Sequence, residues 1–375
     1  MTQPKQPKAA QATRKPKTSN SQHRLAKSTD RYAVDYMDHA PIWPATIYCT
    51  GLFRTTQNGA APEPLNLTYE AKVMGRPLRY TLRSPQPLNI VDQAVYFHLC
   101  QRIGSENYTL LPPDHPRYPA YRQALGATGL WADSGLLVIH IKLSDLAHGI
   151  GLTRTGTNAQ SVMASLNRLA AVNMHRQRLD VQPQSDEPHQ GQSQFLGFLC
   201  GDDDVRIVLH GESAYAAYKR TGVAWVNMRE HRQLSSKPAK ALHAWLSAWA
   251  SPIEAKRVSL ETLIPKVWGD YPASKDVLKD RRRTLRKALG EVAALPGWVC
   301  SHTADGKQVV VRKPLFIGTQ ISPEAKSLPA AETPTAAADT PTQVAMTATQ
   351  PATTATVDLL EPAEIHDDSG LLFAL

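Results

Sequence analysis

Lys275, Lys279, Arg282, Arg283 and Arg286 recur three and four residues apart in "SKDVLKDRRRTLRKALGEVAAL", residues 274–295. At about 100° per residue of α-helix, Leu278, Leu285, Ala288, Leu289 and Val292 share one apolar arc. The five cations fall together about a quarter-turn away. Such a row does electrostatic chemistry. Arginine pairs bidentately with guanine O6 and N7, and both residue types hold phosphate oxygens. Like charges on one face repel by roughly 0.2–0.5 kcal/mol for each i,i+4 pair. Within the row there is no interleaved Glu, and Asp276 and Asp280 lie beyond its edge. A merely solvated face usually mixes signs, so the row points to a polyanion, with an ordinary charged face as the alternative.

Two further groups fit the same chemistry. "RTGTNAQSVMASLNRL" offers Thr155, Thr157, Asn158, Gln160, Ser161 and Arg168, hydrogen-bonding groups with little charge. They suit base edges or phosphates, and equally an ordinary polar helix face. Lys307, Arg312 and Lys313 in a downstream hairpin, and His175, Arg176 and Arg178 in an upstream strand, are positioned to reach a flanking backbone. For the upstream strand, plain exposed charge is the alternative.

Covalent chemistry has less support. The chain has no GxxxxGK[ST] phosphate loop, and no His-apolar-His cluster pairs with a suitable tyrosine, as strand nicking requires. "DDD" (202–204) could bind a hard cation but reads better as a turn between strands. No zinc site or nucleophile elbow stands out. No enzyme activity, cofactor or metal is expected.

The elements that would position the cations come in a repeated order. "LNLTYEAKVMGRPLRYTLRS" (65–84) reads as a β-hairpin. Residues 87–104 have helical spacing, and "LLPPDHPRYPAY" reads as loop. "GLLVIHIKL" (135–143) is a buried strand. Ser144 then caps a short helix, 157–172 is a second helix, and "NMHRQRLDV" with "SQFLGFLC" makes a hairpin with a wing-like connection before the strand "DVRIVLH". A shorter version follows: a helix over 237–250, a short helix capped by Ser259, the basic helix, and the hairpin 298–312 with a tight Asp305-Gly306 turn. Helix, short helix, long helix, hairpin is the winged-helix order, in which the long helix enters the major groove. The expected class is α+β, with two tandem winged-helix domains and disordered N- and C-terminal tails. The expected divisions are a basic arm (1–40), a first winged-helix domain with its N-terminal hairpin (41–210), a second (211–317) and an Ala/Thr/Pro-rich acidic tail (318–375).

Composition agrees with a polyanion partner. The chain of 375 residues has formal charge +9, unevenly placed. Residues 1–40 carry eight Lys/Arg against three Asp/Glu, and 319–375 carry one against eight, which leaves a basic middle. Four isolated cysteines and no secretory start read as free thiols in the cytoplasm. No apolar run approaches the roughly 20 residues of a membrane span. The end "SGLLFAL" is an apolar cluster on a polar tether. It contacts a partner such as a clamp, helicase or chaperone, or folds back on the protein's own core, or does nothing. Its Leu-Phe pair resembles the end of a sliding-clamp-binding peptide, without the usual upstream glutamine.

"TGLFR" (50–54), "LNLTYE" (65–70), "ALHAWLSAW" (241–249), "VSLETLIPKVWG" (258–269) and "RRRTLRKALGEVAALPGW" (281–298) together resemble the RepC replication initiators of IncQ-type broad-host-range plasmids. The resemblance spans about residues 47–315 and is densest over 240–300. It implies a tandem winged-helix initiator that binds directly repeated origin sequences (iterons) in double-stranded DNA, helps open adjacent DNA and recruits a helicase or other replisome protein. Self-association is left open. The long arm and the Ala/Thr/Pro tail depart from the family pattern. Two other readings use the same residues differently: a winged-helix repressor on an inverted-repeat operator, and a strand-nicking enzyme.

Overall fold

The computed structural model describes residues 38–55, 63–73, 76–129, 135–181, 190–201, 204–315 and the pair 356–357. The expected arm (apart from 38–40), the expected tail (apart from 356–357), the SGLLFAL end, the connection 182–189, and Asp202 and Asp203 of "DDD" lie outside the described residues.

The chain starts with β1 (His39–Ile42) and α1 (Pro44–Tyr48). β2 (Leu65–Val73) and β3 (Arg76–Ser84) form the expected hairpin. Next come α2 (Ile90–Gly104), β4 (Thr109–Leu111), α3 (Tyr118–Leu125), β5 (Thr128–Gly129), β6 (Leu136–Ile141), α4 (Leu143–Gly149) and α5 (Gly156–Ala170). They are followed by β7 (Asn173–Arg178), β8 (Gln190–Gln194), β9 (Leu196–Cys200) and β10 (Val205–Leu209). Then α6 (Gly211–Lys219), β11 (Ala224–Asn227), α7 (Met228–Gln233), α8 (Lys237–Trp249), β12 (Lys256–Ser259), α9 (Leu260–Trp268), α10 (Lys275–Ala293), β13 (Val299–His302) and β14 (Gln308–Arg312) complete the fold. β15 (Thr356–Val357) lies parallel beside β2. The class is mixed α+β.

α2 is the axis of the first half. Asn89 and Asp92 close a reciprocal capping box at its start, satisfying orphan N–H groups. Most of its circumference is buried, as befits a core helix. Tyr96 and Phe97 on α2 meet Phe53 and Phe195 in an aromatic cluster, with Tyr96 and Phe195 centroids 4.7 Å apart. The half has two sheets, β15-β2-β3-β7-β8-β5 and β4-β6-β10-β9, and α2 packs on β6 of the second. In β3, Leu78, Tyr80 and Leu82 face inward at 0% exposure, the period-two pattern of a half-buried strand.

Three local expectations need correction. "SQFLGFLC" is not one strand of the hairpin. Gln190–Gln194 pairs with β7, and Leu196–Cys200 pairs with β10 in the other sheet, so the chain changes sheets at Phe195. Ser144 is not a cap, because α4 begins at Leu143 after Lys142 with no side-chain cap bond. "LLPPDHPRYPAY" is not all loop. It contains β4 and the start of α3, where Pro119 occupies the first turn, a position whose missing N–H costs nothing.

The second half is simpler. β12, β14 and β13 make a three-stranded antiparallel sheet against α8, α9 and α10. Ser236 caps α8, and Ser259 caps α9 by accepting from Thr262 N at 3.0 Å. Leu285, Ala288, Leu289 and Val292 of α10 are buried, with Leu278 half-buried at the edge.

The halves are interlocked. β1 pairs with β11, His39 opposite Asn227. Ser213 of α6 bonds the Tyr96 hydroxyl, and Glu212 pairs with Arg176. Residues 211–227 therefore pack on the first half, and the expected division at 210/211 is not a break in the packing. "TGLFR" meets the end of α9: Thr55 N donates to Val267 O at 3.0 Å and Lys266 Nζ to Thr50 Oγ1 at 2.7 Å. Gly51 and Gly269 both have positive φ, and a Cβ on Gly269 would stand 3.1 Å from Gly51 Cα. Glycine at both positions allows that approach. Within the second half, Glu230 of α7 accepts from Trp298 Nε1 at 2.8 Å and lies 3.0 Å from His243 Nε2. Burial pushes its carboxyl up, but those hydrogen bonds outweigh it and hold the carboxyl below its ordinary range.

Candidate nucleic-acid interface

α10 carries the cations, and its neighbours decide where each one ends. Lys275, Lys279 and Arg286 are exposed and make no ion pair among the described residues. Arg283 is also exposed and pairs with Asp280, 3.1 Å away and three residues back. Arg282 is half-buried. Its Nε and Nη2 donate to Glu261 Oε1 on α9 at 3.0 and 2.7 Å. The row expected to lack carboxylate relief thus has it at two positions, from Asp280 at its edge and from a second helix. Arg281 turns the other way. It is 8% exposed, donates to the Asp270 carbonyl at 3.0 Å, pairs with the Asp270 carboxylate and lies 5.3 Å from the Trp268 ring centre. It anchors the turn that sets the angle between α9 and α10.

The hairpin β13–β14 follows α10 and packs against it through β13. Lys307 and Arg312 are exposed, and Gly306 has φ +65° in the turn. Asp305 accepts from the Thr303 hydroxyl and from Lys307 N, and these bonds hold its carboxyl below the ordinary range. Lys313 is not free to reach outward. Its ammonium donates to Ser247 O at 2.7 Å, and burial, aided by Lys256, lowers its pKa to about 8. Arg257 on β12 is an exposed cation that spacing alone did not single out.

In the first half α5 follows α4 as α10 follows α9. Thr155 caps α5, accepting from Asn158 N at 3.3 Å. Thr157, Gln160 and Ser161 are exposed. Asn158 is half-buried, and its amide donates to Thr153 O and Oγ1, both at 2.9 Å. Two expected contacts are corrected. Arg168 grips Asp92 through Nε to Oδ2 at 3.0 Å and Nη2 to Oδ1 at 2.7 Å, tying α5 to the cap of α2. Asp92 is fully buried and also accepts from Ser165. Arg176 is 2% exposed and sits 3.0 Å from Glu212. The register explains it: Arg176 stands opposite Tyr80, on the inward face with Met174. Of its neighbours, His175 is half-buried, and Arg178 pairs with Asp180 at 3.1 Å.

Glu261, the carboxylate that holds Arg282, is the residue that spacing on α10 could not reveal. The available signal was an acidic residue in the first turn after the Ser259 cap, ahead of three consecutive arginines.

Among the described residues no helix is long and apolar enough to cross a membrane. The family model described as Replication protein C (RepC) matches residues 34–314. No curated protein matches the chain. Among solved structures, a selenomethionine crystal structure of domains 2 and 3 of RctB is similar at 12% identity and a TM-score of 0.41, over 73% of this chain and 99% of that one. A second crystal structure of RctB domains 2–3 gives 11% and 0.43, over 72% and 96%.

Proposed function

The chain belongs to the Replication protein C (RepC) family and is a replication initiator; from that premise we propose that it acts on plasmid origins in the cytoplasm, binding direct-repeat iterons through two winged helices. α5 and α10 are the helices placed in the major groove. The single observation that carries this is the outward row Lys275, Lys279, Arg283 and Arg286 on α10, beside a hairpin with Lys307 and Arg312 exposed. The order β12-β14-β13 against three helices supports the winged reading of the second half. The first half is read the same way from α2, α4, α5 and the pair β7–β8.

The mechanism is binding energy rather than covalent chemistry. Cations on α10 and the hairpin displace counterions from phosphates. Several initiators on adjacent repeats bend and strain the duplex, and the added contacts offset the deformation. Helicase recruitment and local opening follow from that assembly.

Footprinting the full chain on the DNA flanking its gene tests the proposal. Evenly spaced direct repeats are the expected outcome. A single inverted repeat would replace initiation with repression, and a covalent protein–DNA adduct on supercoiled origin DNA would replace it with nicking.

A further inference from the structure

We infer that Arg282 is the arginine of α10 that reads a base, and that Glu261 of α9 is the residue that positions it; this rests on the groove-binding reading of α10. Three consecutive arginines meet three different carboxylates with three different consequences. Arg281 is buried on Asp270 and Trp268 and belongs to the core. Arg283 and Asp280 have side chains 80% and 69% exposed, one turn apart on the same helix, an arrangement water readily competes for. Arg282 alone is held from outside its own helix while its side chain is still 38% exposed.

The geometry of that hold matters. A guanidinium has five N–H donors. Two of Arg282's, on Nε and Nη2, converge on Glu261 Oε1. Both N–H groups of Nη1 and the second one of Nη2 are left. The end formed by Nη1 and Nη2 presents two parallel N–H bonds, the pattern that matches guanine O6 and N7. Because Glu261 fixes the side chain beforehand, less rotamer freedom is lost on contact. Glu261 also places a negative charge beside the groove. It repels phosphate, so close approach is favoured only where the arginine finds its base, an element that works against wrong sequences. Lys275, Lys279 and Arg286 have no such partner among the described residues, and long unpaired cations suit phosphate.

The test uses the full chain on three probes. These are a duplex carrying the footprinted repeat, the same duplex with each G·C pair changed singly to A·T, and a random duplex. Arg282→Lys should lose discrimination at one G·C pair by roughly 5- to 150-fold while binding the random duplex as the wild type does. Glu261→Ala should lose discrimination at that same pair and bind the random duplex more tightly, since a negative charge has gone. Arg286→Ala should weaken all probes alike. Both Arg282 and Glu261 are partly exposed, and unchanged melting curves confirm that the variants fold. Discrimination intact in Arg282→Lys overturns the reader, and discrimination intact in Glu261→Ala overturns the positioning role. If the wild type binds repeat and random duplexes equally, the proposed function fails along with this inference.

Discussion

α5 and α10 stand at the same place in their order of elements, each following a short helix and preceding a paired strand. They dispose of positive charge in opposite ways. On α5 the cation nearest the core, Arg168, closes onto the buried Asp92, and the following strand buries Arg176 on Glu212. What stays outward is uncharged: Thr157, Gln160 and Ser161. On α10 only Arg281 turns inward, while Lys275, Lys279, Arg283, Arg286 and Lys287 remain exposed. One half spends arginine on holding its own core together, the other on its surface. If both helices bind duplex DNA, the exposed cations of α10 supply the attraction common to all sequences, while Arg282 at its one base pair and the uncharged face of α5 supply hydrogen bonds that depend on sequence.

The largest effect should come from breaking a buried pair. Arg176→Ala removes the guanidinium partner of the buried Glu212, leaving it only the 3.5 Å contacts to the Tyr80 hydroxyl and His210, and should cost about 3–5 kcal/mol of stability, read by chemical denaturation. A variant of wild-type stability with weakened duplex binding would return Arg176 to the interface and erase the contrast.

Removing the outward row comes next. Lys275→Ala, Lys279→Ala and Arg286→Ala together should reduce the magnitude of the salt slope by up to about three units, at roughly 0.9 per phosphate. Stability should stay within about 0.5 kcal/mol of the wild type, as usual for surface changes. Binding titrations at several salt concentrations decide it, and an unchanged slope would mean that α10 faces elsewhere.

The uncharged face should behave differently. Thr157→Ala, Gln160→Ala and Ser161→Ala should each cost about 1–3 kcal/mol at most, and only on the correct sequence. The salt slope should not move. Equal losses on random duplex would show that α5 merely grips the backbone, as Lys275, Lys279 and Arg286 of α10 do.

The smallest effect lies at the helix starts. Thr155 caps α5 with its hydroxyl, whereas Ser274 before α10 makes no side-chain cap bond. Thr155→Ala should therefore lower stability by about 1 kcal/mol, and Ser274→Ala by less than about 0.5 kcal/mol. Thermal melts of the two variants would distinguish them. Equal losses would show that the two starts are capped alike in solution.

Much of this contrast can be read before any coordinates are known, and the unreadable part has a definite character. The helices over 90–104, 237–249 and 275–293 follow from apolar spacing, because periodicity is local. α3 was hidden by a Pro- and Tyr-rich composition that suits a loop. α6 and β11 were missed because short elements carry little periodic signal. The burial of Arg176 was in principle legible. It has the parity of Met174, and one inward-facing residue in a strand implies the next-but-one. Nothing in spacing says that its partner is Glu212.

By itself the sequence determined which faces of α10 exist. Leu285, Ala288, Leu289 and Val292 recur at helical spacing, so that arc is buried whatever it packs against, and the cations must lie to one side of it. The tertiary structure alone decided which cations remain available. Asp92 lies 76 residues from Arg168, and Glu261 lies 21 from Arg282. An ion pair depends on distance in space, and no local pattern encodes that distance. The fold therefore turned one basic helix into a structural arginine, a clamped arginine and a set of exposed cations.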